Sequence, residues 1–138
     1  MNTFERDKER GEGFEYHLLN EIKKKYPNAY KIKGYENRAD LIIPELKIGI
    51  ECKLDLMCEK TGNLAIEYEH TGKPSGIWVT KSKYWAIAFN RGGWKYMVIP
   101  VEELQFHCSL AKRVEGAESS KLYLIPVNEL NYKVYKIV

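Results

Sequence analysis

Two apolar runs flanking a proline turn constrain this chain more than anything else in it. They are "ADLIIP" (39–44) and "KIGIECKLD" (47–55), and only Pro44-Glu45-Leu46 separates them. Both have strand length and are rich in isoleucine, so the gap reads as a tight hairpin. The second run carries Glu-Cys-Lys through its middle. Side chains alternate along a strand, which puts Ile48, Ile50, Cys52 and Leu54 on one face and Gly49, Glu51, Lys53 and Asp55 on the other. Glu51 and Lys53 are then same-face neighbours roughly 7 Å apart. Asp40 shares a face with Ile42, and the hairpin can set it beside Glu51.

The remaining segments suggest what surrounds the hairpin. From Gly11 to Tyr26, Phe14, Leu18, Leu19 and Ile22 fall at helical spacing, with a basic last turn before Pro27. Residues 30–33 suit a short strand. "GNLAIEYEH" (62–70) alternates as a third strand, and "TGKPSG" (71–76) is loop by composition. "GIWVT" (76–80) reads as a turn or a short strand. "KSKYWAIAF" (81–89) suits a short helix broken by Gly92-Gly93, "WKYMVIP" (94–100) a buried strand, and "VEELQFHCSLAKR" (101–113) a helix. "KLYLIPV" and "YKVYKIV" close the chain as one or two strands. The expected class is α/β: a central mixed sheet flanked by helices in the order α-β-β-β-α-β. Its core spans about residues 11–99, with a C-terminal extension over about 100–138.

The 138 residues are expected to form one domain burying roughly two-thirds of its unfolded surface. A net charge of +3 leans mildly towards anionic partners and is no nucleic-acid signature by itself. No run approaches the ~18 continuous apolar residues of a membrane span. The first residues, "MNTFERDKERGEG", are too polar for a signal peptide. Cys52, Cys58 and Cys108 show no C-x-x-C spacing, so neither a zinc finger nor a disulfide framework is expected and a reducing cytoplasm is the default.

Carboxylates converging at a sheet edge, without His or thiolate, are hard oxygen ligands that suit Mg²⁺ or Mn²⁺ better than zinc. A lysine beside them can orient an attacking water or stabilise charge on a phosphate. Asp40, Glu51 and Lys53 together therefore point to metal-assisted hydrolysis of a phosphodiester. Glu67, on the polar face of the third strand, joins the same side if that strand pairs with its predecessor; the alternative is a solvated strand residue.

This array resembles the PD-(D/E)XK nuclease superfamily, whose motif is an Asp, a hairpin, then (D/E)-x-K on the next strand. Asp40, Glu51 and Lys53 fill the three positions, although Ala39 stands where a proline often precedes the aspartate. "GEGFE" (11–15) followed by "YHLLNEI" is similar to the G-x-x-x-E opening of the archaeal-type Holliday junction resolvases in that superfamily. The resemblance covers residues 11 to about 99 and implies a restriction-endonuclease-like fold. It further implies that Asp40, Glu51, Glu15 and the backbone carbonyl of Cys52 hold Mg²⁺, with Mn²⁺ able to substitute, while Lys53 steadies the nucleophile. Glu12 competes with Glu15 for the helix position, or else only complements the helix dipole.

Lys73 and Ser75, in the "TGKPSG" loop, are candidate phosphate contacts. Lys81 and Lys83 are candidates too, because a helix starting there would favour anions. His17, His70 and His107 lack partner spacing. The tryptophans read as core and rim rather than base-stacking platforms, with Trp85 and Trp94 assigned to the core. The expected function is a Mg²⁺-dependent endonuclease on duplex or branched DNA, intracellular, of a size that suits a virus-encoded or repair enzyme. Because one chain carries one site and cutting two strands needs two, a homodimer is expected. The alternatives are a non-catalytic nucleic-acid-binding relative, a small restriction-type endonuclease, and an α/β interaction domain in which the pattern is chance.

Overall fold

The apolar stripe Phe14-Leu18-Leu19 does form a helix and is buried along it. The computed structural model describes residues 3–33 and 39–137, with side chains described from residue 9 onward. Helix α1 (Thr3–Lys23) begins eight residues before the expected Gly11 and ends where the chain turns towards Pro27.

The first sheet has six strands in the order β1-β2-β3-β6-β7-β10. These are β1 (Tyr30–Lys31), β2 (Leu41–Ile43), β3 (Ile48–Asp55), β6 (Tyr84–Asn90), β7 (Trp94–Pro100) and β10 (Tyr135–Lys136). The expected β2–β3 hairpin is present, with Leu41 opposite Ile50 and Ile43 opposite Ile48. Its turn is closed by the Leu46 amide donating to the Ile43 carbonyl and the Lys47 amide to the Pro44 carbonyl. All neighbours are antiparallel except β3 and β6, which run parallel.

A parallel pair needs a long crossover, and residues 56–83 supply it. They hold α2 (Cys58–Thr61), β4 (Asn63–His70), β5 (Lys73–Pro74) and a 3-10 turn at Gly76–Trp78. Beyond β7 come α3 (Val101–Ser109), β8 (Lys112–Glu115) and β9 (Ser120–Pro126). A second sheet runs β5-β4-β9-β8.

The sheets divide the core in two. One face of the six-stranded sheet, with Leu41, Ile50, Ala86, Ala88 and Tyr96, is covered by α1 through Phe14, Leu18 and Leu19. The opposite face, with Trp85, Ile87, Phe89, Met97 and Ile99, packs on Leu64 and Ile66 of β4, Tyr123 and Ile125 of β9, and Leu104 and Cys108 of α3. The molecule is thus mixed α/β, with a mixed sheet and few helices.

Three expectations are corrected here. The segment 81–89 is not a helix; Tyr84–Asn90 is strand β6, with Trp85 through Phe89 all buried. A short apolar run covered on both faces has no alternation to declare it a strand. Gly92 and Gly93, which read as a helix break, instead turn the chain into β7, both at positive φ. The third strand, β4, pairs with β9 and β5 rather than with β3. The Asp55 carboxylate accepts from the amides of Met57, Cys58 and Ala65 (2.8–2.9 Å), which turns the chain out of the first sheet and leaves the β3 edge to β6. Finally, residues beyond 100 complete both sheets: β9 lies along β4, and β10 lies on the β7 edge. Among the described residues no helix is long and apolar enough to cross a membrane.

Candidate active site

Strand β3 carries the centre of the site, and its alternation holds. Glu51 and Lys53 lie on one face, with Lys53 Nζ 2.9 Å from Glu51 Oε2. In the parallel register Glu51 lies opposite Trp85. The Lys53 ammonium sits 5.0 Å from the centroid of the Trp85 ring, a cation–π contact. Lys53 is therefore steered from two sides while its side chain stays 46% exposed.

Asp40 lies one residue before β2, beyond the last paired residues of the hairpin. Its amide donates to the Ile50 carbonyl (3.0 Å), and its Oδ2 accepts from the Cys52 amide at 2.7 Å. Glycine is required at position 49 for this approach, because a Cβ there would stand 2.7 Å from the Ala39 Cβ. In a strand the N–H and C=O of one residue point to the same edge. The Cys52 carbonyl thus faces the side on which Asp40 lies, past the end of β2.

Helix α1 brings Glu15 towards the same place. Its carboxylate pairs with Lys31 of β1 at 3.1 Å. Burial raises the Glu15 pKa, the Lys31 hydrogen bond opposes this, and the charge of Asp40 adds to the rise. Lys31 is raised in turn, chiefly by its bond to Glu15. The Cys52 thiol is pushed far up, first by burial and then by the charges of Asp40, Glu15 and Glu51. One sulfur therefore feels all three acids. Glu12 is exposed and acts on Glu15 only through its charge.

Each acid is turned to a partner of its own: Glu15 to Lys31, Glu51 to Lys53, Asp40 to the Cys52 amide. Among the described residues, no three His, Cys, Asp or Glu side chains stand as a ready-made metal cage.

Glu67 reaches the neighbourhood by another route than strand pairing. With Lys53, Asp55, Ala65, Trp85 and Leu122 it lines a cavity of about 180 Å³ between the two sheets. Its carboxylate accepts from the Ser75 hydroxyl at 3.0 Å, so Ser75 braces an acid and does not present its proton to a phosphate. Lys73, Lys81 and Lys83 are exposed. Lys81 and Lys83 precede a strand, so the helix terminus expected to help them bind anions is replaced by extended chain.

Trp85 is buried as expected, and Trp94 is partly buried under the Arg10 guanidinium, 5.8 Å from its ring. His17 lies edge-on to Tyr96, and His107 lies near Tyr132; neither faces the acids. Sequence reasoning missed Lys31 and Asp55. Asp55 was visible as the next residue on the Glu51–Lys53 face. Lys31 was not, because only the packing of α1 against β1 brings it to Glu15. No protein-family model matches the chain, and neither a curated protein nor a solved structure matches it.

Proposed function

We propose that the chain is a metal-dependent endonuclease acting on DNA, with a restriction-endonuclease-like arrangement of the first helix and the β2–β3 hairpin. The observation that carries this reading is Asp40 held on the Cys52 amide of the same strand that presents Glu51, with Lys53 2.9 Å from Glu51. The donors fit a hard cation, since all are carboxylate or carbonyl oxygens and the one sulfur is held as a thiol.

Asp40, Glu51, the Cys52 carbonyl and Glu15 would hold Mg²⁺ or Mn²⁺. When bound, the cation supplies Lewis-acid polarisation of the phosphate and a nucleophile at neutral pH. The chain's own residues do the rest. Lys53, steadied by Glu51 and the Trp85 ring, places a positive charge where a water approaches phosphorus and where charge develops on the phosphate. Glu67, tied by Ser75, lines the cavity beside Lys53. Exposed Lys73, Lys81 and Lys83 offer phosphate contacts that position without reading sequence. Cutting both strands of a duplex would take two chains.

A cleavage assay tests this directly. Labelled duplex, single-stranded, flapped and four-way-junction DNA would each be incubated with Mg²⁺, Mn²⁺ or EDTA. Metal-dependent cutting is expected, falling at least about a hundredfold in Lys53→Ala and in Glu51→Gln. A second reading, a nucleic-acid-binding relative that does not cut, is favoured by the lysine partners already held by Glu15 and Glu51. Binding without cutting under every metal would establish it.

A further inference from the structure

The segment between Ser75 and Thr80 is fastened at both ends to residues that line the Lys53 cavity. At one end the Ser75 hydroxyl donates to Glu67. At the other, the Trp85 indole donates to the Thr80 hydroxyl at 3.1 Å. In between, Gly76 has a positive φ and presses so closely on β4 that a Cβ would collide with the Glu67 carbonyl. Ile77 is fully buried, and its carbonyl accepts from Gln105 of α3 at 3.0 Å. The segment is therefore a pinned rim beside the cavity, bonded to two of its lining residues.

What this rim presents outward is apolar. Trp78 is 43% exposed and Val79 52%. The indole is nevertheless fixed: its Nε1 donates to the Tyr123 hydroxyl at 2.9 Å, and its ring meets Tyr123 edge-on, with centroids 6.1 Å apart. Tyr123 is itself stacked on Tyr68 at 4.2 Å. An aromatic ring held by its edge, with much of its surface in solvent, loses little freedom when a planar group lies on it. Exposed Lys73 precedes the segment in the chain, and exposed Lys81 and Lys83 follow it. Positive groups interleaved with a fixed exposed aromatic are the features by which proteins hold a single nucleic-acid strand.

We propose that Trp78 is a stacking platform for an unpaired nucleobase of the strand whose phosphate meets Lys53. This rests on the nuclease reading and narrows its substrate class: single-stranded, flapped or branched DNA rather than continuous duplex. Bases within a duplex are already stacked on their neighbours and offer no free face to the indole unless one is flipped out.

The test measures binding by fluorescence anisotropy in EDTA, where cutting does not intervene. A labelled single-stranded oligonucleotide, a flapped duplex and a blunt duplex would be titrated with the wild-type protein and with Trp78→Ala, Trp78→Phe and Tyr123→Phe. In Trp78→Ala the preference for unpaired over blunt DNA is expected to fall about tenfold or more. Trp78→Phe, which keeps a ring, should retain most of it. Tyr123→Phe, which only frees the indole, should lose a smaller part and keeps the test open if the alanine variant does not fold. An unchanged preference in Trp78→Ala would overturn the inference, as would an equal loss on all three DNAs. So would a wild-type dimer that becomes monomeric in Trp78→Ala on sizing, since the ring would then serve a second copy. Cutting that depends on Lys53 but not on Trp78 would sink this inference and leave the nuclease standing. Absence of any DNA binding by the wild type would end both.

Discussion

Glu15 and Glu51 each face an ammonium group, Lys31 at 3.1 Å and Lys53 at 2.9 Å. The two lysines are not equivalent. Lys53 shares the Glu51 face of β3 and belongs to the proposed chemistry, whereas Lys31 comes from β1, lies 5.7 Å from the Tyr16 ring centroid, and only neutralises Glu15. A cation that recruits Glu15 has to displace or outbid Lys31. Lys31→Gln is therefore expected to tighten Mn²⁺ binding roughly tenfold, about 1.4 kcal/mol, as read by isothermal titration at neutral pH. An unchanged or weaker affinity would remove Glu15 from the ligand set. Glu51 and Lys53 were legible because strand alternation ties residue number to face. The partnership of Glu15 with Lys31 was not, because it depends on how a helix rotates over a sheet.

The hairpin works as an element because of a residue with no side chain. Gly49 lets Ala39 lie against β3, and this sets the height at which Asp40 meets the Cys52 amide. Gly49→Ala forces these two atoms apart and moves the segment that carries Asp40. Such overpacking costs about 1–3 kcal/mol, a fall in Tm of several degrees by calorimetry, and the proposed metal-dependent cutting should drop with it. Unaltered stability and cutting would mean that Asp40 is positioned some other way. The hairpin itself could be read from its proline turn and its two isoleucine-rich runs. Strand β6 could not, since a strand buried on both faces carries no periodic signal. The removal of β4 to a second sheet depends on the Asp55 carboxylate gathering three amides, a local turn that propensity does not announce.

At the scale of the whole molecule, α3 is tied to the C-terminal segment through Tyr132. Its hydroxyl donates to Glu103 of α3 at 2.9 Å. Burial first, and then this bond to a carboxylate, push its pKa up to about 12 from the usual 10.0. A tyrosine is neutral when protonated, so the folded chain keeps a proton that the unfolded chain has already released in that interval. The stability this contributes is complete below the ordinary value and is lost as the pH rises towards about 12. Urea midpoints measured from about pH 8 to about pH 11 should fall less steeply in Tyr132→Phe than in the wild type. The slope will not vanish, because burial raises Tyr96 as well. Equal slopes would show that Tyr132 titrates no differently folded than unfolded.

The pairing of β4 with β9 joins residues 63–70 to residues 120–126, and Leu122 of β9 helps wall the cavity beside Lys53. Contacts between segments so far apart form late, because the intervening loop must close before any of them is rewarded. On a ribosome, the acids and the lysine emerge long before the strand that encloses them. A nascent chain that has reached β7 therefore displays the full set of charged groups on a sheet whose second face is still wet. The cavity beside Lys53 would be closed only once β9 is in place.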